Sequence, residues 1–100
     1  MLERHAGGER VVIVQLDFGR DDLAEQVEEV RLLAESAGAT VCDVIYGRRH
    51  SPDPATFAGK GKVQEVAAAL AAAEADLAIF NHELSPAQER NLERVLQCRV

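Results

Sequence analysis

Arg10-Val11-Val12-Ile13-Val14-Gln15-Leu16-Asp17 decides the fold of this sequence. Its unbroken apolar run, rich in β-branched side chains, reads as a strand buried on both faces, the habit of parallel sheets. Phe18-Gly19-Arg20 breaks the strand. Asp21 or Asp22 then caps a helix, with Glu25 close behind in the first turn, where negative charge suits the helix dipole. Leu23, Val27, Val30, Ala34 and Ala37 recur along one helical face, and Gly38 is placed to end the helix in a left-handed conformation.

Outward from this unit the pattern repeats. Residues 39–46 (ATVCDVIY) form a second strand, in which Asp43 marks a less buried face. A loop of about fifteen residues, 47–61, holds two prolines and three glycines, and connections of that length in a compact domain are usually functional or disordered. Residues 62–75 are helical by alanine propensity, with Val63, Val66, Ala67, Leu70 and Ala71 as the stripe. Residues 76–81 are a third strand. Ser85 followed by Pro86 gives a helix start, with Gln88 or Glu89 to complete a capping box and Leu92, Val95 and Leu96 as its apolar face. Cys98-Arg99-Val100 begins a fourth strand. The order β-α-β-α-β-α-β predicts a three-layer α/β fold: a mostly parallel four-stranded sheet with helices on its faces, the last strand truncated. Residues 10–100 make the domain and residues 1–9 a loosely ordered tail.

Of 100 residues, 11 are Lys or Arg and 17 are Asp or Glu, a net charge of −6. No run approaches the roughly 18 apolar residues of a membrane-spanning helix, and residues 1–8 lack the apolar core of a secretory signal. Cys42 and Cys98 are too few for a disulfide scaffold and are expected as small buried residues in a reducing, cytoplasmic setting. The acidic balance argues against non-specific nucleic-acid binding only if charge is evenly spread. It is not: residues 48–62 carry Arg48, Arg49, Lys60 and Lys62 against Asp53, a local +3, which leaves −9 for the remainder.

In a parallel sheet the loops at the carboxyl ends of the strands share one edge, where ligands bind. Residues 17–22, 47–62 and 81–86 therefore converge. Ala58-Gly59-Lys60-Gly61-Lys62 runs into a helix and offers backbone amides, lysine charge and a helix dipole to an anion. It lacks the spacing and the Ser or Thr of a Walker loop. Nucleotide binding, RNA-phosphate contact and a plain glycine-hinged loop with solvated lysines all remain open from these residues. Arg48 and Arg49, ahead of the stiff Ser51-Pro52-Asp53-Pro54, suit phosphate or carboxylate. His50 and His82 share the edge without a third ligand at metal-site spacing, so no metal is expected. Asn81-His82-Glu83 is either an acid/base pair in a cleft or, more commonly, turn and cap chemistry.

Arg48-Arg49-His50-Ser51-Pro52-Asp53-Pro54-Ala55-Thr56-Phe57-Ala58-Gly59-Lys60-Gly61-Lys62, with Glu65, resembles the arginine-rich, Pro-x-Pro-x-Thr, Gly-x-Gly-Lys stretch of the amino-terminal domain of the HflX GTPases. Ala78-Ile79-Phe80 followed by Glu83-Leu84-Ser85-Pro86-Ala87-Gln88-Glu89-Arg90-Asn91-Leu92-Glu93 is similar to that family's second signature. Both occur in order on a matching strand-helix frame over residues 10 to 100. The resemblance implies a cytoplasmic GTPase that binds the large ribosomal subunit and splits or rescues stalled ribosomes under stress. It implies a separate GTP-binding domain, with GTP and magnesium bound there, and a helical hairpin between the two. Members continue beyond the position of Val100, and no GTPase motif lies in these 100 residues, so this part is expected to be non-catalytic and without a cofactor.

Two functions follow as expectations. The first is a ribosome-contacting and regulatory module in which Arg48, Arg49, Lys60 and Lys62 face RNA phosphates. In it Gly59 and Gly61 let the backbone approach closely, while Thr56, Asn81, His82, Glu83 and Ser85 share the edge. The alternative is ATP or GTP binding through the Gly-Lys-Gly-Lys loop. Where family members usually carry two acids, Asn81 and His82 stand, so no role of those acids transfers. The open edge beside the short last strand also offers a second copy a place to pair.

Overall fold

The computed structural model describes residues 9–19 and 23–100. Its elements are β1 (Arg10–Asp17), α1 (Leu23–Ser36), β2 (Thr40–Arg48), α2 (Lys60–Ala73), β3 (Leu77–Phe80) and α3 (Pro86–Leu96). The strands form a parallel sheet in the order β2-β1-β3. The cap expected at Asp21 or Asp22, and residues 1–8 of the expected tail, lie outside the described residues. Glu9, counted with that tail, belongs to the domain: its carbonyl accepts from the Thr40 N–H at 2.7 Å and its carboxylate pairs with Arg99.

β1 is the centre of the molecule because both of its faces are covered. Strand alternation sends Val12, Val14 and Leu16 into one core with Ile45, Val63, Val66, Leu70 and Leu92. Val11, Ile13 and Gln15 are as deeply buried on the other face, where Gln15 meets Gln26 of α1. The layers are therefore α1, sheet, and the packed pair α2 and α3.

The helix ends follow their local chemistry. Gly38 takes φ 93° just beyond α1. Ser85 Oγ accepts from the Gln88 N–H at 3.1 Å and Gln88 Oε1 accepts from the Ser85 N–H at 2.9 Å, so the capping box closes through Gln88 with Pro86 just inside it. Such a cap is worth about 1 kcal/mol. Among the described residues no helix is long and apolar enough to cross a membrane.

Four expectations are corrected. Among the described residues the sheet has three strands: α3 ends in a left-handed cap at Gln97, and Cys98-Arg99-Val100 makes a single parallel bridge, Leu77 to Arg99, with the Ala78 N–H donating to the Arg99 carbonyl at 3.0 Å. β2 runs on to Arg48, since Gly47 pairs with Leu16 and Arg48 with Asp17. α2 begins at Lys60, with the Gly59 carbonyl accepting from the Val63 N–H at 2.9 Å, and ends before a left-handed Glu74. The connection is thus residues 49–59, and Lys60, Gly61 and Lys62 are helical. Finally, Val95 leaves the α3 stripe and is 52% exposed, whereas Leu92 and Leu96, four apart, face the core. Cys42 and Cys98 are half-buried and unpaired.

Leu92 is wholly enclosed. Leu92→Ala should lower stability by about 2–5 kcal/mol through lost burial and a residual cavity, and Val95→Ala by less than about 0.5 kcal/mol. Urea unfolding of the two variants checks the contrast.

Candidate functional site

The strand order reverses at β1, and the carboxyl ends of β1, β2 and β3 carry the three segments that the topology brings together. They are cross-linked. The Arg49 N–H donates to the Asp17 carbonyl at 3.1 Å. Gln88 Nε2 reaches the Asp53 carbonyl at 2.8 Å, and Asn91 Nδ2 the Ala55 carbonyl at 2.9 Å, so α3 holds the loop over residues 49–59. Phe18, Phe57 and His82, one ring from each segment, stack with centroids 5.8, 5.6 and 4.9 Å apart.

The loop is a built turn. Asp53 and Phe57 exchange both backbone hydrogen bonds at 2.9 Å, and Asp53 Oδ1 accepts from the N–H groups of Ala55 and Thr56 at 2.8 and 3.0 Å. Those backbone donors, Thr56 first, hold the Asp53 carboxyl below its ordinary pKa of 3.8. Phe57 is buried at φ 67°. Gly59 has φ 89° and ψ 158°, a region open essentially only to glycine, and a Cβ there would stand 2.4 Å from Arg49 Nη1. The guanidinium approaches Gly59 with Nη1 nearest and donates from Nε to the Ser51 carbonyl at 3.0 Å and from Nη1 to the Ala58 carbonyl at 3.3 Å.

The four basic residues therefore divide into pairs. Arg49 ties the loop to itself. Lys62 lays its stem on Gly47 and donates to the Tyr46 carbonyl at 2.8 Å while pairing with Glu65 at 2.7 Å. Arg48 is different: its side chain is 86% exposed and pairs only loosely with Asp17, at 3.5 Å. Lys60 is exposed at the start of α2 and has no partner among the described residues. A shallow cleft of about 270 Å³ between Arg48, Arg49 and residues 58–62 joins these groups. Gly61 has open space where a side chain would stand, so its expected close approach serves nothing within the domain.

A second cleft, about 380 Å³, opens at the ends of β1 and β3 on the α1 side, lined by Asp17, Phe18, Gln26, Glu29, Asn81 and His82 among others. Beneath it lies an amide network that the sequence reading did not single out. Gln15, with no exposed surface, donates to Gln26 Oε1 at 3.1 Å and accepts from Asn81 Nδ2 at 2.7 Å. Gln15 is the one polar residue within the buried run of β1, which is the signal that could have found it. His82 Nε2 accepts the Leu16 N–H at 2.8 Å, and burial pushes its pKa below 6.5. Asn81 and His82 are thus structural partners of β1. Glu83 is exposed, Ser85 is the helix cap, and Thr56 supports Asp53. Among the described residues no group of three His, Cys, Asp or Glu side chains stands together.

A three-stranded parallel α/β domain with a basic loop locked at its carboxyl edge is the class defined by this geometry. The chain belongs to the family described as GTP-binding GTPase N-terminal, which matches residues 24–100. It is 45% identical over 100 residues to the GTPase HflX of Escherichia coli (strain K12), an overlap of 100% of this chain and 24% of that protein. It is 36% identical over 93 residues to the GTPase HflX of Lacrimispora saccharolytica (92% and 22%) and 38% identical over 86 residues to that of Alkalihalophilus pseudofirmus (84% and 20%). The domain thus corresponds to the amino-terminal domain of HflX GTPases, and the chain spans about a quarter or less of the curated relatives it matches.

Gly59→Ala should cost about 1–3 kcal/mol from its backbone region alone. Combining it with Arg49→Ala should cost less than the two singles together, because the alanine methyl and the guanidinium compete for one space. Thermal unfolding of the double-mutant cycle measures this. The depressed Asp53 carboxyl stabilises the loop fully above pH 3.8, and that contribution disappears as pH falls from 3.8 through its lower folded value. Asp53→Asn should remove this acid limb from the stability profile.

Proposed function

We propose that the domain is the ribosome-contacting, regulatory amino-terminal module of a longer, cytoplasmic HflX-type GTPase that acts on the large ribosomal subunit, splitting or rescuing ribosomes under stress. In this reading GTP and magnesium belong to a separate GTP-binding domain, and the module itself catalyses nothing. The observation that carries it is the division of labour at the basic edge. Arg49 is engaged by the loop and Lys62 by β2 and Glu65, which leaves Arg48 and Lys60 projecting beside the open first turn of α2, as a surface phosphate contact requires.

ATP or GTP binding through Gly59-Lys60-Gly61-Lys62 is the second reading, favoured by the uncapped N-terminus of α2 at Gly59. The cleft there, about 270 Å³, lies below the usual size of small-molecule pockets. Two of its cations are already bonded to carbonyls. Both facts favour an extended phosphate backbone over an enclosed nucleotide.

In the full-length protein, Arg48→Ala with Lys60→Ala should weaken binding to the large subunit and reduce the slope of log affinity against log salt by about two, one per lost phosphate contact. Sedimentation binding at several salt concentrations reads both. An unchanged slope would remove the phosphate assignment. Calorimetric heat from millimolar ATP or GTP that the same double variant abolishes would favour the nucleotide reading.

A further inference from the structure

We propose that His82 is a pH-sensitive latch: as the neutral imidazole it holds the loop over residues 49–59 to the carboxyl end of β1, and protonation releases it. The latch is built from four contacts on one ring. Nε2 accepts the Leu16 N–H at 2.8 Å, and the Gln15 side-chain nitrogen, Nε2, stands 3.4 Å from the same atom. A backbone N–H can only donate, so Nε2 carries the lone pair and the ring proton sits on Nδ1. The ring then packs edge-to-face with Phe18, centroids 5.6 Å apart, and tilted by 35° against Phe57 at 4.9 Å. Phe57 is the buried end of the turn whose next two residues, Ala58 and Gly59, lead into α2 and Lys60. One imidazole thus joins β1, the segment after β1, the segment after β3, and the loop.

A proton added at Nε2 would face two donors, one of them the backbone N–H of Leu16, a residue buried near the end of β1. The ring must then turn or leave, and its seat under Phe57 goes with it. The charged groups around the ring do not offset this. Asp17 on β1 and Glu29 on α1 line the cleft on one side of His82, and Glu89 on α3 lines the groove on the other. Glu83 follows it in the chain. The loop contributes Arg49 and Asp53. Asp17 is engaged with the Gly19 N–H at 2.8 Å and with Arg48, and Asp53 with its own turn. Among the described residues no carboxylate is hydrogen-bonded to the ring, and burial is the cause that lowers its pKa. The sign follows: the latch is closed at neutral pH, and its contribution to stability is lost as pH falls from 6.5 to the lower folded value. That window opens at 6.5, above the 3.8 at which the one set by Asp53 opens.

The test is an NMR titration of the protein from neutral to mildly acidic pH. The His82 ring is expected to titrate below 6.5, with the Leu16 and Phe57 amide shifts following the same midpoint. The Leu16 protection factor should fall roughly tenfold as that hydrogen bond is lost. In His82→Gln, which offers an acceptor that cannot titrate, these coupled shifts should vanish. If that variant fails to fold, the shared midpoint in the unmodified protein decides alone. Leu16 and Phe57 amides that ignore the His82 midpoint, or that keep their pH dependence in His82→Gln, would overturn the latch.

Discussion

The enclosure of β1 on both faces is the constraint on which the rest of the structure depends. A strand with no exposed side can carry polar groups only if other elements meet them inside the protein. β1 carries one buried amide, Gln15, and ends with one backbone N–H, that of Leu16, at the mouth of two clefts. Gln26 of α1 and Asn81 after β3 satisfy the first, and His82 satisfies the second. Those three partners come from two separate elements. Satisfying β1 therefore fixes where α1 begins to cover the sheet and how the chain leaves β3.

The carboxyl edge inherits this order. His82 seats Phe57, Phe57 closes the turn with Asp53, and Gly59 gives Arg49 the room to cross the loop. α3 adds its own hold through Gln88 and Asn91. The outcome is a basic edge in which half of the cations are structural. Arg49 donates to carbonyls of the connection and Lys62 to the Tyr46 carbonyl of β2, while Arg48 and Lys60 are displayed beside them. The charge that faces a partner is thus smaller than the charge counted along the loop, and it is placed more rigidly. Alteration of Arg49 or Lys62 would act on the site through folding before it acted through charge.

Much of this was legible in the sequence. The apolar run of β1, the steps of four and three along α1, the cap at Ser85 with Pro86, and the convergence of the basic loop with residues 81–86 all follow from local chemistry and from the parallel topology. The two signatures around Gly59 and Ser85 carry the family. What was not legible depends on neighbours distant in the chain. Gly59 at φ 89° is where helix replaces loop, and nothing beside it in sequence says that Lys60 and Gly61 are already helical. Gly47 pairs with Leu16 and so extends β2 past its apolar run. Cys98-Arg99-Val100 has the composition of a strand, yet one bridge is all it makes. Asn81 and His82 looked like edge chemistry because the sequence places them at the edge; their partners, Gln15 and Leu16, lie sixty-six residues away for Asn81 to Gln15 and for His82 to Leu16.

The central claim is that the buried amide of Gln15, and not the apolar bulk of β1 alone, organises this edge. Urea unfolding of Gln15→Met tests it most directly, since methionine keeps the length and shape of the side chain and adds apolar surface. Asn81 and Gln26 would then each lose the hydrogen bond to Gln15, and the account predicts a loss of about 1–3 kcal/mol at an unchanged denaturant slope. Equal or greater stability in Gln15→Met would contradict it and would make the network a passenger on the hydrophobic core.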